Sequence, residues 1–497
     1  MCVVSFIGMA LGRAARAQDP SVGPGGPTGE PRAEEPQLPA ETDLTEEGET
    51  VGPTPGAPTI SLEQAVAVAL ENNFGLLSAG DNVAAARYRE DAARGEFHPK
   101  LTPRYARTAD DQTLALDASQ RLPWSGASLN AAANFRSFTP EGLPTTRASD
   151  LRVTLTQPLL RGFGPNATYF DLTNSRRSVQ GQERSYELSR QRLAVDVTGA
   201  FYQIVKQREL LRVSRQSLMR SRGLREASEA RMKVGLASKL DVFRAELQSS
   251  QTEDALVQSQ AALETALEGF RLLLGLAPGD PVEPEAVSLP EDLSLDLEPV
   301  DVLVQKALDA RLDLRETRDR VHDAERAASL ARQNLLPQLD VSLAFLQTGF
   351  GPTFSDSFRT PDRRLSLFLS TSYPIERSGD KATSAIAALD LEASKRDLRQ
   401  AELDVDADVR AATRTLERIR KSVELQRKGV EFAAQQHRLA TLRYQRGLAS
   451  NFDVIDAEGS LVSARTALVG LLTDYQVARI QLLRVLGTLD VTQEFAP

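Results

Sequence analysis

Residue types that build catalytic and metal sites are scarce in this sequence of 497 residues. It contains one cysteine, Cys2, so no disulfide can form within the chain and no cysteine-based metal site can be built. The three histidines, His98, His322 and His437, lack the paired spacing of metal ligands, and we expect them to be surface or packing residues. No P-loop or nucleophile elbow occurs, so the sequence predicts neither an enzyme nor a bound cofactor or metal.

Long apolar runs and an excess of basic residues are missing as well. No run reaches the roughly 18 apolar residues that a transmembrane helix needs. The formal net charge of −9 at pH 7 argues against a nucleic-acid-binding surface. If this protein enters a membrane, it must do so by a route other than an apolar helix.

The beginning of the chain has the pattern of an export signal. A short apolar run ends at Ala15-Arg16-Ala17, which fits the core and cleavage site of a secretory signal peptide over residues 1–17. The basic leader that normally precedes such a run is missing, so we expect the natural start to lie upstream. Residues 18–58 are rich in proline, glycine and glutamate and predict a disordered linker.

One segment occurs twice in the chain. Residues 231–246 and 443–458 share Arg, Gly-Leu-Ala-Ser, Asp-Val and Ala-Glu at identical spacing, and each copy lies between two long heptad-like stretches. Glycine supplies a left-handed helix C-cap and serine a good N-cap, so each Gly-Leu-Ala-Ser is predicted to be a helix-to-helix turn. The chain is therefore predicted to be a tandem repeat of one large helical hairpin, over residues 59–289 and 290–490.

Very long helices are predicted after Pro158 and Pro374, each running about 66 residues to its turn. Their apolar residues follow a 4-3-4-3 spacing that is typical of coiled coils. At 1.5 Å per residue such helices span about 100 Å. The spacing is carried by Leu193, Val197, Ala200, Ile204, Gln207 and Leu211 in the first half and by Val405, Val409, Ala412, Leu416, Ile419 and Val423 in the second.

The hydrophobic period changes to strict alternation after Pro99 and Pro337. Alternation is typical of half-buried strands, and we predict one strand pair in each half, or four strands per chain. The first half carries an additional strand-like run near residues 127–138, which is either paired or a loop. The alternation is visible in Leu151, Val153 and Leu155, in Leu339, Val341, Leu343 and Phe345, and in Leu365, Leu367 and Leu369.

One glycine pattern invites a different interpretation. Gly162-Phe-Gly164 follows a predicted strand and precedes a helix, with Glu183 at the distance seen in dinucleotide sites. A dinucleotide-binding unit needs a second parallel strand, but about 66 helical residues follow instead. We therefore interpret this segment as a strand-to-helix turn.

Four strands cannot close a barrel alone, and an open sheet in lipid would leave unpaired backbone groups that each cost several kcal/mol. Either the sheet lies in water, or several copies of the chain close it together in an outer membrane. The first alternative corresponds to a periplasmic coiled-coil structural protein. A hairpin-rich periplasmic adaptor is a further alternative, although it would need a lipoyl-like β domain that the sequence does not show.

The order of these features resembles the TolC-like outer membrane efflux protein family over about residues 60–489. The resemblance is carried by both Gly-Leu-Ala-Ser turns and by the segments His98-Pro99-Lys-Leu101, Gln157-Pro158-Leu159-Leu160, Leu336-Pro337-Gln-Leu339 and Leu486-Gly487-Thr488-Leu489. It implies a mainly α-helical fold with a small β part. Long coiled-coil hairpins would form an α-barrel, and four strands per chain would contribute to a 12-stranded outer membrane β-barrel of a homotrimer.

The resemblance also implies a function. Such proteins are passive exit ducts of tripartite efflux or type I secretion systems, embedded in outer membrane lipid and extending into the periplasm. They dock to an inner-membrane pump through a periplasmic adaptor (membrane fusion) protein. We predict that the adaptor docks at the two turns, because both keep small residues where a partner hairpin could pack closely, although good capping alone would also select them. The predicted docking residues are Gly235, Leu236, Ala237 and Ser238 in the first turn and Gly447, Leu448, Ala449 and Ser450 in the second.

Four further residues match functional positions of the family. Asp453 and Asp456 match carboxylates that line the periplasmic entrance, although they could also be a solvated helix face or charges favoured by the helix dipole. Tyr444 and Asp241 match a hydrogen-bonded link that holds the entrance closed. The family's arginine in this link falls at Ala449 and its acceptor at Leu240, so part of the link is missing here.

Overall fold

The computed structural model describes residues 58–139, 144–289, 293, 297–359 and 361–495. The predicted signal peptide and all but the last residue of the predicted linker lie outside the described residues. The described part is mainly α-helical with a small β part, as predicted. None of its helices combines the length and the apolar character needed to cross a membrane.

Two very long helices organise the fold. They are α4 and α9, of 64 and 68 residues, and each is followed across a short turn by a helix of about half its length, α5 or α10. The helices are α1 (Leu62–Asn72), α2 (Phe74–Gly95), α3 (Pro165–Thr168), α4 (Phe170–Lys233), α5 (Lys239–Leu273), α6 (Val300–Ala310), α7 (Leu312–Gln333), α8 (Phe354–Arg359), α9 (Ser378–Gln445), α10 (Asn451–Leu486) and α11 (Val491–Glu494).

The predicted coiled-coil register is confirmed by burial. Three heptad residues of α4 pack in a buried core with α1 and α5, namely Leu193, Val197 and Ile204. The next one, Leu211, is also buried. Their counterparts in α9 are buried against α6, α7 and α10. Because heptad positions stay on one side of a helix, these residues form a continuous apolar seam in the middle part of each long helix. The buried counterparts are Val405, Val409, Leu416 and Val423.

The β part contains more strands than the sequence predicted. The strands are β1 (Thr59–Ile60), β2 (Lys100–Arg107), β3 (Asp111–Arg121), β4 (Ser128–Phe138), β5 (Thr146–Pro158), β6 (Glu283–Pro284), β7 (Gln338–Gly351) and β8 (Asp362–Ser372). β1 and β6 form a two-residue parallel pair beside the helices. The other six form one sheet in the order β2-β3-β4-β5-β7-β8, with every neighbouring pair antiparallel.

The predicted four strands per chain are therefore wrong, because the described sheet has six. The run near residues 127–138 is β4, and it is paired on both sides, with β3 and β5. In each half, the chain enters the sheet from a helix and returns to a helix at the same end of the sheet. This is possible because the first half contributes two complete hairpins and the second half one. The connection at residues 108–110 and the described residues 352–359 that follow β7 lie at the opposite end.

The two faces of the sheet differ sharply in polarity. Residues that pair across neighbouring strands lie in a row on the same face of the sheet. The rows on one face are mostly apolar, and those on the other face are mostly polar. The apolar face carries Leu101, Tyr105, Leu114, Leu116, Ala131, Ala133, Leu151, Val153, Leu155, Leu343, Phe345, Leu365, Leu367 and Leu369. The polar face carries Arg104, Asp117, Asn130, Asn134, Arg136, Asp150, Arg152, Thr154, Thr156, Ser342, Thr348, Arg364, Ser366 and Ser370.

The turn between β3 and β4 is fixed to the place where β5 leads into the helices. The backbone oxygen of Ser125 accepts a hydrogen bond of 3.1 Å from Nε2 of Gln157, and the Trp124 ring lies edge-on to Tyr169. Gly126 has a φ of +77°, and a Cβ there would lie 2.6 Å from the backbone oxygen of Gly162. Glycine is therefore required for this close approach.

The segment Gly162-Phe-Gly164 is the strand-to-helix turn that the sequence analysis favours. It lies between β5 and α3, and Nε2 of Gln333 donates to the backbone oxygen of Phe163 over 2.7 Å. No parallel strand follows it within the six-stranded sheet. Gly162 and Gly164 take positive φ values of +82° and +91°, which allow the chain to turn from β5 into α3.

Candidate functional site

The two Gly-Leu-Ala-Ser turns lie at the ends of α4 and α9 that point away from the sheet. Gly235 and Gly447 take left-handed φ values of +76° and +71°. The following amides, of Leu236 and Leu448, donate to carbonyls five residues back over 2.8 and 2.9 Å. This hydrogen bond is that of a Schellman cap, which confirms the predicted role of both glycines.

Both serines of the turns are N-caps, as predicted. Oγ of Ser238 accepts from the amide of Asp241, and the Asp241 carboxylate accepts in return from the Ser238 amide over 3.0 Å. Ser450 and Asp453 repeat this arrangement, with 2.8 Å from the Ser450 amide to the carboxylate. Because Ser450 donates from both its hydroxyl and its amide, the pKa of the Asp453 carboxyl is lowered.

The turns expose leucine rather than alanine. Leu236 is 72% exposed and Leu448 is 74% exposed, whereas Ala237 and Ala449 are half-buried. An apolar side chain at a loop tip costs solvation unless something covers it. The residues predicted to dock an adaptor therefore form two equivalent protrusions, each with a leucine at its end.

The two hairpins are tied together just behind the turns. The Tyr444 hydroxyl lies 3.0 Å from Oγ of Ser228, and the guanidinium of Arg231 lies over the Tyr444 ring at 4.4 Å. Nη2 of Arg231 also donates to the backbone oxygen of Gln445 over 2.7 Å. Tyr444 is buried against Leu224, Ala227 and Val454. We call the contacts among Ser228, Arg231, Tyr444 and Gln445 the tip clasp.

The tip clasp differs from the predicted link between Tyr444 and Asp241. Within the chain the Tyr444 hydroxyl pairs with Ser228, while the Asp241 carboxylate is occupied by the Ser238 cap. Asp241 does contribute to joining the hairpins, but through its backbone oxygen, which accepts from Nδ2 of Asn451 over 2.6 Å. The sequence could not identify Ser228, because nothing in its surroundings distinguishes it from other helix-surface serines.

A buried ionic cluster joins three helices further from the turns. Arg220 of α4 forms a two-point ion pair with Glu458 of α10, with both nitrogen–oxygen distances at 2.8 Å. His437 of α9 places Nε2 3.2 Å from the same carboxylate. Breaking a buried pair by removing one partner costs on the order of 3–5 kcal/mol. The expectation that His437 is a packing residue agrees with this place, whereas His322 lies at the surface beside Glu325.

The two carboxylates predicted at the entrance have different surroundings. Asp453 is occupied by the cap, whereas Asp456, one turn later and also exposed, has no hydrogen bond or ion pair among the described contacts. Asp456 borders a shallow groove that is also lined by Gln248 of α5 and Gln426 of α9. Of the two, Asp456 therefore has the carboxylate that is free to interact with ions.

Among the described residues, no three or more His, Cys, Asp or Glu side chains form a cluster that could hold a metal ion. The tip presents two exposed leucines, the exposed carboxylate of Asp456 and a set of hydrogen bonds between the hairpins.

Comparison with known proteins identifies the family. A sequence profile of the family described as outer membrane efflux protein matches residues 65–276 and 303–488. The chain therefore belongs to the outer membrane efflux protein family, as the resemblance implied. Members of this family are outer membrane proteins that extend into the periplasm.

Two curated relatives align over most of the chain. The outer membrane efflux protein BepC of Brucella suis is 27% identical over 403 residues, which cover 77% of this chain and 81% of the relative. The probable efflux pump outer membrane protein TtgC of Pseudomonas putida is 23% identical over 449 residues, covering 86% of this chain and 83% of the relative.

Solved structures show the same fold at lower identity. The outer-membrane channel OprN superposes with a TM-score of 0.68 at 19% identity, covering 86% of this chain and 90% of OprN. The outer membrane protein VceC of Vibrio cholerae gives a TM-score of 0.67 at 16% identity, with coverages of 86% and 96%. At these identities the likeness shows that the fold is shared.

The tip clasp makes a prediction for gating. Tyr444→Phe keeps the ring under Arg231 but removes the hydroxyl, so it should loosen contact between the hairpins by about 0.5–1.5 kcal/mol, the net value of a hydrogen bond. We expect a higher single-channel conductance or open probability in planar bilayers. Ser228→Ala should have a similar effect, and the double variant should add little, because both changes break one interaction.

Asp241→Asn serves as the control for this prediction. It keeps the backbone oxygen that binds Asn451 and changes only the capping carboxylate. If Asp241→Asn opened the channel as Tyr444→Phe does while Ser228→Ala had no effect, the predicted link between Tyr444 and Asp241 would be the correct one, formed between chains rather than within one.

Proposed function

We propose that this protein is the exit duct of a tripartite efflux or type I secretion system, a passive conduit for small molecules or proteins across the periplasm and outer membrane. One observation carries this proposal. Helices of about 100 Å are joined at one end to a sheet with one apolar and one polar face. Such a sheet is stable when its apolar face contacts lipid and its polar face contacts water. In a soluble periplasmic coiled-coil protein the apolar face would be exposed to water instead.

The helical layer supports assembly of several copies. α4 and α9 occupy corresponding places in the two hairpins, yet 19 residues of α4 are buried and only eight of α9. The reason is that α4 packs between α5 and α10, whereas α9 has α10 on one side and no counterpart of α4's second neighbour. In a homotrimer, α5 of the next chain would cover α9 as α10 covers α4.

Individual residues agree with this arrangement. In the register that aligns the two turns, buried Val213 and Ala227 of α4 correspond to Leu425 and Leu439 of α9. Leu425 is 70% exposed and Leu439 is 52% exposed. We call Leu425, Phe432 and Leu439 the α9 stripe. On α5, Phe243, Leu247 and Val257 are also exposed and would face such a stripe.

The turns support docking of partners. Two equivalent protrusions per chain, each ending in an exposed leucine, give a trimer six similar contact points for a periplasmic adaptor that links it to an inner-membrane pump. The proposed repeat boundaries, 59–289 and 290–490, place one turn in each repeat. The proposed role is transport, with no catalytic step and no nucleic-acid partner.

The assembly proposal predicts the behaviour of the α9 stripe. Leu439→Lys should leave the chain folded, because the side chain is exposed within it, but should prevent closure of the ring. Native mass measurement in detergent should give a trimer for the unchanged protein and mainly monomer for the variant. Glu431→Lys, which places a lysine on an exposed side of α9 about 80° around the helix axis from Leu439, is the control and should remain trimeric. Monomer from the unchanged protein in the outer membrane fraction would contradict the proposal.

The docking proposal predicts that Leu236→Asp combined with Leu448→Asp abolishes export while the trimer remains in the outer membrane. The leucines are exposed, so the fold loses little, but an adaptor would lose two apolar contacts per chain. Export is measured as intracellular accumulation of a pump substrate. Leu236→Met with Leu448→Met preserves apolar contact and should restore export. Full export by the aspartate variant would exclude the turns as the docking surface.

The entrance carboxylates predict ion selectivity. Asp456→Asn should lower the cation preference of the closed trimer in planar bilayers, since three free carboxylates around one axis attract cations. Asp453→Asn should change selectivity less, because that carboxylate is already bound by Ser450. Equal or absent effects of the two substitutions would assign Asp456 to an ordinary solvated helix face.

A further inference from the structure

The apolar face of the six-stranded sheet carries charge only at its outer end, the end that lies away from the helices. Arg107 of β2, Arg147 of β5 and Arg363 of β8 each lie within two residues of the outer end of their strand. The strand register places Arg107 and Arg147 in one row on this face, and Arg363 lies two residues before Leu365 on the same side. No aspartate or glutamate of these six strands lies on the apolar face. The strands thus give this edge positive charge without a counter-charge.

Arginines near the outer end of the polar face have carboxylate partners instead. Nε of Arg136 donates to both carboxylate oxygens of Asp111 over 2.8 and 3.0 Å. Nη2 of Arg364 donates to the Asp362 carboxylate over 2.9 Å. By contrast, the three arginines of the apolar face form no ion pair with any described residue. The unneutralised charge therefore lies on the side that the proposed function places against lipid.

The position of these arginines corresponds to the level of the lipid headgroups. From Arg147 to Gln157, which lies near the inner end of the same face, β5 rises about 33 Å at about 3.3 Å per residue. A strand tilt of about 40° turns this length into a height of about 25 Å. The outward apolar band of outer membrane barrels is also about 25 Å tall. An arginine that faces lipid is unfavourable at the bilayer midplane and tolerated near the interface, so this edge suits it.

Aromatic side chains surround the charged edge. Phe354 and Phe358 of α8 lie against Phe135 on the apolar face, with ring centroids 6.3 and 5.9 Å away. The guanidinium of Arg147 lies 5.7 Å from the centroid of the Phe354 ring and also donates to the backbone oxygen of Pro352. Phe358 remains 48% exposed. Aromatic rings are typical of the interface between lipid and water, so α8 lies where lipid headgroups would cover it.

α8 adds a fourth arginine to this edge. Arg359 is its last residue, and its side chain is 77% exposed. The single acidic residue of α8, Asp356, accepts a hydrogen bond from Oγ1 of Thr353 over 2.6 Å and lies 3.5 Å from Nη1 of Arg359. One carboxylate therefore stands against four guanidinium groups, and the edge keeps a positive excess.

We propose that these four residues, the outer arginine cluster of Arg107, Arg147, Arg359 and Arg363, bind the phosphate groups of a phosphorylated lipid in the outer leaflet of the outer membrane. This inference rests on the proposed function, which places the outer end of the sheet at the cell surface. A guanidinium binds phosphate through two parallel hydrogen bonds, which a lysine cannot form. The neighbouring aromatic rings contact the apolar part of the same lipid. The cluster thus fixes the height of the sheet in the membrane.

The test measures lipid binding to the intact trimer in detergent by native mass measurement. The probe is lipid A with two phosphates, and phosphatidylcholine, whose headgroup has no net charge, is the reference lipid. We expect the probe to bind at least about tenfold more tightly than the reference. Equal binding of the two lipids would overturn the inference. So would displacement of the probe by inorganic phosphate at the same concentration, because the cluster would then bind a free ion rather than a lipid.

Substitutions assign this preference to the cluster. Replacing Arg107, Arg359 and Arg363 together by Gln should weaken binding of the probe at least about tenfold, since each loses charge-assisted hydrogen bonds. Arg147 is kept because it binds the backbone of the outer connection.

The matched control removes the same charge from the other face. Arg136→Gln, Arg152→Gln and Arg364→Gln together should change the affinity by less than about twofold, because these side chains lie across the sheet from the lipid. An equal loss in this control, or no loss in the glutamine variant of the cluster, would overturn the inference. If the glutamine variant does not assemble, lysine at the same three positions replaces it and should weaken binding about threefold, whereas an unchanged affinity would overturn the inference.

The same measurement distinguishes failure of this inference from failure of the proposed function. A trimer isolated from the outer membrane fraction that shows no preference for the phosphorylated lipid overturns the inference alone. A chain that is found as a monomer outside that fraction overturns the proposed function, and the inference with it.

Discussion

The constraint on which this structure depends is that neither of its two layers is closed within one chain. The helical layer ends at α5 on one side and at α9 on the other, and the sheet ends at β2 and β8. Unpaired strand edges cannot be tolerated in lipid, and exposed apolar stripes are unfavourable in water. Both costs are removed by the same operation, rotation of further copies about a common axis, because the open edges of both layers lie on the same two sides of the chain.

The internal repeat explains why the open surfaces are self-complementary. Two similar hairpins form one interface inside the chain, between α4 and α10, and the repeat generates a second version of it between α9 and the next α5. The helical side of an assembly interface can thus be inferred from a contact that is already present. Covering Leu425 and Leu439 as fully as Val213 and Ala227 are covered would bury several apolar side chains per seam, each contributing about 1.5–3 kcal/mol.

The sequence allowed local features to be predicted more reliably than partner-dependent ones. The caps at Gly235, Ser238, Gly447 and Ser450 depend on a few consecutive residues, so their chemistry alone determined them. The heptad register was predictable for the same reason. The strand count was not, since β2 contains Pro103 and several charged residues, and its strand structure depends on β3 beside it.

At the candidate site, the same distinction applies. Exposure of Leu236 and Leu448 follows from their place in a tight turn, whereas the partner of Tyr444 depends on how α4 and α9 are packed together. The glutamate repeated at residues 246 and 458 gave a signal that sequence reasoning did not use. One copy is exposed and the other pairs with Arg220 and His437, so the repeat conserves a residue whose partners exist at one interface only.

That asymmetry distinguishes the two kinds of interface in a trimer. In the register of the turns, Tyr444 corresponds to Met232, Asn451 to Lys239, and Arg220 to Phe432. The tip clasp and the buried ion pair within the chain therefore have no counterparts between chains, where apolar contacts dominate. Apolar contacts are non-directional, and they tolerate sliding that a two-point ion pair does not. The seams between chains would then slide more readily than the interface between the two hairpins of one chain.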